Sequence, residues 1–544
     1  MTLIKSLLLG SAAGIVAVAS AQAADLPTRK AAPVEYVRVC NVGGITGWTL
    51  PGSDTCVKLS GYITAQFTGG NLETQYNWGT VAEGASAALV TPGLGASIYA
   101  ANPGLAALSA ADTRISQRVL VAASDAQTNT TYYRNETGWS VRTAVDLDFA
   151  SNTAYGPLIG HIGVQDDAAN GFDPLQGAPT PNIMYMDTGY LTWAGITAGK
   201  AQSFFSFTGG GDNWANFFSP DRKGFNEPYL LAYTASFGGG FTATISAESS
   251  QTAGASGGGT DLVGSAGSNV GTIAYGGQRW PDIVGALHVK QGWGEAQVSG
   301  VIHNVNVYDV AYNNAPYNLD SPGGCGLTGL AGCDAHHQRV GWAVDAGVKV
   351  NLPSFGAGDD FLITGEYGQS AVWYSGLCGE AMWGECGQTN GNGQPMFLPD
   401  SYFNPVTNSW STPTTWSVTG LIEHHFTPQF YLDLEGSVGG FSWSNMGGGC
   451  SFTLLPSCSL AASEGGALSP RGIAYLVGAD LGWNPVTNLN FDLELMYMDL
   501  NQAAPNGFLG TVYNSGQTNE FFVPGDWKGN SNGFAGRLRI TRYF

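Results

Sequence analysis

From Val57 to Phe67 the chain alternates. Val57, Leu59, Ile63, Ala65 and Phe67 fall on one face of an extended strand, and Lys58, Ser60, Tyr62, Thr64 and Gln66 on the other. Successive side chains of a strand point to opposite sides, so a period of two reads as a strand with one apolar and one polar face. The carboxyl-terminal stretch repeats the pattern: Phe534, Gly536, Leu538, Ile540 and Phe544 oppose Ala535, Arg537, Arg539, Thr541 and Tyr543. Three further segments follow it. Val340, Trp342, Val344, Ala346 and Val348 alternate with Arg339, Asp345 and Lys349; Phe430, Leu432 and Leu434 with Asp433 and Glu435; Leu489, Phe491, Leu493 and Leu495 with Asp492 and Glu494. A soluble sandwich would bury one face away from water, whereas a barrel in lipid turns the apolar face outward and wets the charged one. Arg542 falls on the apolar face near the end of the chain, where a membrane interface tolerates a snorkelling cation.

Short turns alternate with long inserts along the chain. The turns lie at Ala150 to Gly156, Ala194-Gly195, Gly238 to Gly240, near Trp293, at Pro353 to Gly358, Phe426 to Pro428 and Asn484 to Thr487. The inserts cover roughly 69–133, 166–182, 204–226, 251–280, 307–338, 373–413, 444–471 and 501–532. This segmentation predicts sixteen strands, eight long loops and seven short turns. The expected fold is all-β: a transmembrane antiparallel barrel with long extracellular loops and short periplasmic turns. Sixteen strands enclose an aqueous lumen rather than a packed interior, and closure removes exposed strand edges.

Composition and targeting agree. Aromatics make up 12% and charged residues only 11%, which argues against helical bundles. A formal net charge of -20 argues against nucleic acid as a partner and against electrostatic adhesion to anionic lipid. Lys5, the apolar run from Leu7 to Ala19 and Ala21-Gln22-Ala23 form a signal peptide, 1–23, cut after Ala23. An N-terminal periplasmic segment, 24–56, leads into a barrel expected over 57–544. The eight cysteines form close pairs: Cys40/Cys56, Cys325/Cys333, Cys378/Cys386 and Cys450/Cys458. In an exported chain these read as disulfides. The alternative is zinc, but C-x7-C is no zinc-knuckle spacing and no histidine lies at ligand distance beside the pairs.

Along most of its length the sequence resembles the trimeric general porins of alphaproteobacteria, of the rhizobial type. The resemblance is carried by Glu35-Tyr-Val-Arg-Val-Cys40, Pro51-Gly-Ser-Asp-Thr-Cys56, Leu59-Ser-Gly-Tyr62, Ala201-Gln-Ser-Phe-Phe205 and Leu231-Ala-Tyr-Thr234. It continues in Tyr275-Gly-Gly-Gln-Arg-Trp-Pro-Asp282, Ala296-Gln-Val-Ser-Gly300, Gly341-Trp-Ala343, Asn351-Leu-Pro353 and Arg537-Leu-Arg-Ile-Thr-Arg-Tyr-Phe544. It implies a homotrimer in outer-membrane lipid, passing small hydrophilic solutes and ions passively. It also implies a third loop, 204–226, folded inward as a constriction, and Phe544 as an assembly signal. The sequence departs from the family where two pore-wall arginines are usual. In the block from Asp148 to Ile159, Ala150 and Ile159 stand at those positions. The long 69–133 insert and the loop cysteine pairs are unusual as well.

Selectivity in channels comes from charge at a constriction. In the inward loop Asp212, Asp221 and Glu227 are the acidic candidates, with Arg222 and Lys223 beside Asp221. By alternation Lys58, Arg142, Lys290, Lys349, Arg537 and Arg539 face the lumen, as do Asp146, Asp148, Glu295, Asp345, Glu366, Asp433, Glu435, Asp492 and Glu494. With the two arginines missing and the chain acidic, a weak cation preference is expected. No nucleophile elbow, phosphate loop or zinc-protease motif is present, so neither catalysis nor a cofactor or metal is expected. His336-His337 and His424-His425 read as solvated or interfacial pairs. A substrate-specific channel and an adhesin on a barrel scaffold remain the alternative readings.

Overall fold

The computed structural model describes residues 38–70, 136–171, 183–207, 227–249, 273–275, 278–309, 336–377, 400–404, 409–444, 471–503, 509–513, 520–524 and 530–544. Sixteen strands form one closed antiparallel barrel. They are β1 (Cys56–Gly70), β2 (Thr137–Thr153), β3 (Gly156–Gly171), β4 (Ile183–Trp193), β5 (Ile196–Lys200), β6 (Tyr229–Gly238), β7 (Phe241–Glu248) and β8 (Asp282–Gln291). There follow β9 (Gly294–Asp309), β10 (His336–Asn351), β11 (Asp360–Gln369), β12 (Pro413–Thr427), β13 (Phe430–Trp443), β14 (Arg471–Val486), β15 (Leu489–Gln502) and β16 (Asn530–Tyr543). Each strand pairs with the next, and β16 returns to β1 from Ala535 opposite Gly70 to Tyr543 opposite Tyr62. Every wall strand therefore has a neighbour on both sides, as lipid demands of backbone polar groups.

Burial runs opposite to that of a soluble protein. Leu59, Ile63, Leu493, Leu495, Leu538 and Ile540 are exposed on the outside, while Asp345, Asp492, Glu494 and Arg537 are buried inside. The alternation that separates them is the one read from the sequence. Aromatic pairs mark the ends of the outer face, as in interfacial girdles. On the turn side Trp483 lies between Phe430 and Phe491 at ring separations of 5.8 and 5.3 Å. On the loop side Phe67 meets Trp139, and Tyr497 meets Phe534, both at 4.8 Å.

The turns close as their residues require. Ala194 and Gly195 both have positive φ, 50° and 85°, as a two-residue hairpin turn matching the strand twist needs. Strand limits differ from the expected ones mainly on the loop side. β1 runs to Gly70 and β3 to Gly171, because alternating pairing continues past the apolar segment into polar residues.

Two features seal the start of the wall. Residues 39–49, expected only as part of the N-terminal periplasmic segment, form a hairpin (Val39–Val42 with Ile45–Thr49) that joins β1 through Trp48 opposite Val57 and Thr49 opposite Cys56. The Cys40–Cys56 disulfide pins it at the turn-side rim, with Val42 packed on Cys56 and Ala150. At the carboxyl end, Phe544 exchanges backbone hydrogen bonds with Gly61 (N to O 3.0 Å, and 3.2 Å in return). Its ring lies where a side chain on Gly61 would be: a Cβ there would come within 2.7 Å of Phe544 Cζ and 2.2 Å of the Ala144 carbonyl oxygen.

Candidate functional site

The bore of the barrel is lined by the polar strand faces, and six of its described cations stand against carboxylates on the neighbouring strand. Arg142 donates to Asp167 at 2.6 Å, Lys349 pairs with Asp360 at 2.7 Å, Arg537 with Glu494 at 2.6 Å and Arg539 with Asp492 at 3.1 Å. Lys290 pairs with Glu295 at 3.1 Å near the turn-side rim, and Lys58 stands opposite Asp148 by register. Asp148 itself is bound to His161 at 2.7 Å, with Asp146 3.8 Å from the same ring. Buried inward carboxylates then accumulate on β10 to β15: Asp345 opposite Glu366, Asp433 opposite Asp480, and Asp480 opposite Glu494, with Glu435 on the same face. Asp480 escaped the sequence reading because Tyr475, Leu476 and Val477 run together and blur the period of β14; its even position alongside Ala474 and Leu476 was the available signal.

Of the loop candidates, Glu227 is described. It pairs with Lys200 at 3.3 Å at the foot of the loop between β5 and β6, where Lys200 also binds the carbonyls of Met186 and Asp187. Burial pushes the Glu227 carboxyl up from its ordinary range, and the Asp187 charge adds to this. Asp212, Asp221, Arg222 and Lys223 lie outside the described residues, as do Cys325, Cys333, Cys378, Cys386, Cys450, Cys458 and the expected signal peptide.

The start of that loop turns into the bore. Gln297 Nε2 donates to the carbonyls of Phe204, Phe205 and Ser206 at 3.1–3.3 Å, and Ser299 Oγ donates to Phe205 O at 2.6 Å. Gln297 and Ser299 are inward residues of β9, so this backbone rests on the inner wall. Gly347 on β10 leaves the room that Phe207 fills, since a Cβ there would meet its ring at 2.4 Å. Glu248, at the end of β7, accepts from Ser203 Oγ at 2.6 Å and Phe204 N at 3.0 Å, fixing the point where the chain leaves the wall.

The histidine pair His424-His425 serves the turn before β11. Asp359 binds His424 Nδ1 at 2.6 Å and accepts from the backbone N–H of His425 at 2.8 Å. That backbone donor, followed by the His424 side chain, holds the Asp359 carboxyl below the usual range.

A closed sixteen-stranded barrel with an apolar outside, a charged inner face and a loop entering its bore defines a channel of the bacterial outer membrane. The chain belongs to the Porin subfamily, whose family model matches residues 25–90 and 110–526. It is similar to Porin Omp2b of Brucella suis biovar 1 (strain 1330), 27% identical over 387 residues that cover 68% of this chain and 86% of the relative. It is also similar to Porin Omp2a of Brucella ovis, 49% identical over 69 residues, 12% of this chain and 20% of the relative. Among solved structures it resembles the outer membrane channel DcaP of Acinetobacter baumannii at a TM-score of 0.47 and 12% identity, covering 92% of this chain and 99% of that one.

Proposed function

We propose that this outer-membrane porin passes small hydrophilic solutes and ions with a weak preference for cations, and works as a homotrimer. The observation that carries the preference is the composition of the inner wall. The six cations expected there each stand against a carboxylate, and β10, β13 and β14 bring Asp345, Asp433 and Asp480 inward in addition. A negative field inside low-dielectric walls raises the local cation concentration. Ala150 and Ile159, at the positions of two family arginines, are opposite each other on β2 and β3. They sit on the inner face beside Cys56, in an apolar cluster. The reversal potential across a potassium chloride gradient tests this reading. A small potential favouring potassium supports it, and a chloride preference overturns it.

The low side of the barrel supports the trimer. β5 has five residues, against the roughly 9–11 that a tilted strand needs to cross the hydrocarbon layer, and β7 has eight. The paired Lys200 and Glu227 stand at the top of this short wall. A neighbouring copy would cover what lipid alone would leave in contact with charged groups. Light scattering of the detergent-extracted protein giving the mass of one chain would refute the trimer.

A further inference from the structure

A second loop enters the bore. After β11 the chain turns inward through a short 3-10 segment, Val372–Ser375, and Ala371, Val372, Tyr374 and Leu377 are fully buried. The Tyr374 ring packs edge-on against Phe205 at 4.8 Å, within a cluster that includes Val284, Val301 and Ala343. Those three are inward residues of β8, β9 and β10, so this loop and the one between β5 and β6 meet inside the barrel.

A compact polar latch holds it there. His303, on the inner face of β9, lies between two carboxylates: Nδ1 is 2.8 Å from Asp282 Oδ2 and Nε2 is 3.1 Å from Asp400 Oδ2. A carboxylate accepts and does not donate, so a ring held by two of them donates from both nitrogens and bridges them as a cation. The three side chains are 0%, 0% and 1% exposed. Asp282 also accepts from Tyr374 Oη at 2.5 Å and from the backbone N–H of Asn304 at 3.0 Å. Asp400, from the far part of the same loop, accepts from the backbone N–H of Val372 at 2.7 Å. Asp282 is moreover the direct cross-strand partner of Glu248, which pins the other loop. Two neighbouring carboxylates thus each hold a different loop.

We propose that residues 371–377 and Asp400, between β11 and β12, form a second wall of the pore constriction and that His303 is the positioning residue that keeps them in the bore. The proposal rests on the channel reading. Without the cation, Asp282 and Asp400 repel each other in an enclosed site and release the segment around Tyr374. The bore then widens while the loop held by Glu248 stays in place.

The test compares single-channel conductance and backbone hydrogen exchange of the wild type, His303→Gln and Tyr374→Phe, with the double variant His303→Gln/Asp400→Asn as rescue. Barrel folding is checked by heat-modifiable mobility. His303→Gln is expected to raise conductance about 1.5-fold or more by widening the pore, and to deprotect residues 371–377. The double variant, in which an uncharged amide bridge replaces the ionic one, returns both towards wild type. Tyr374→Phe keeps the ring and loses one hydrogen bond, giving a smaller change in the same direction should His303→Gln fail to fold. Unchanged conductance and exchange in folded variants overturn the proposal, as does a double variant no better than the single one. A folded wild type that does not conduct would sink the channel reading instead. Exchange at 371–377 would then still decide the latch.

Discussion

Arg537 and Glu494 face each other across β16 and β15, 2.6 Å apart, with side chains 6% and 0% exposed. One of the few lumen cations is therefore held against a carboxylate that the closing strand pair encloses. Replacing Arg537 by Gln leaves a buried carboxylate without its ion partner and should cost about 3 kcal/mol, read as a lower urea midpoint for the folded barrel. The double variant Arg537→Gln/Glu494→Gln should recover most of that loss. The same single variant should raise the potassium-to-chloride permeability ratio, because it removes inward positive charge.

The carboxylates of β13 and β14 should set the sign of selectivity. Neutralising Asp433 and Asp480 together, both inward, buried and opposite each other, is expected to bring the reversal potential in a potassium chloride gradient close to zero. A double variant as cation-selective as wild type would place the controlling charge elsewhere.

The turn before β11 should show an acid limit. Asp359 has its carboxyl lowered by the backbone N–H of His425 and the His424 side chain. A carboxylate with a depressed folded pKa stabilises fully above its unfolded value, about 3.9, and that stabilisation is lost as pH falls through the lower folded value. Protection of residues 352–359 in hydrogen exchange should hold from neutrality to about pH 4 and fall below it. Asp359→Asn should abolish the acid step.

Gly61 should resist any side chain. In Gly61→Ala the new Cβ meets both the Ala144 carbonyl and the Phe544 ring, a crowding expected to cost about 1–3 kcal/mol and to lower the yield of heat-modifiable barrel on refolding. Phe544→Ala on the same background relieves one of the two clashes and should restore part of the yield.

The hairpin at residues 39–49 should depend on its disulfide more than the barrel does. The Cys40–Cys56 bond spans a separation of 16 residues, for which closing the unfolded loop accounts for about 3 kcal/mol. Cys40→Ser/Cys56→Ser should deprotect residues 38–49 in hydrogen exchange while the barrel keeps its heat-modifiable mobility. Loss of the whole barrel would show that the hairpin is part of the folding nucleus.

Much of the wall could be read without coordinates. Leu493 and Leu495 point outward and Asp492 and Glu494 inward because a strand has a period of two and lipid and water act on each residue separately. The turns were legible for a similar reason: Ala194-Gly195 and Gly238 to Gly240 carry their conformation in their own residues. Where an inward face is itself apolar, as at Ala474 and Leu476 on β14, the local signal fades, and Asp480 was missed with it.

The sequence by itself therefore determined which way most wall residues face, how many strands form the wall and that the ring closes. The tertiary structure alone decided who meets whom inside. Tyr374 reaches Asp282 across 92 residues and His303 reaches Asp400 across 97, from two different strands and both described parts of one loop. Nothing in the local pattern marks such partners, because their interaction depends on barrel curvature and on the height at which a loop turns inward. Those are properties of the closed ring as a whole.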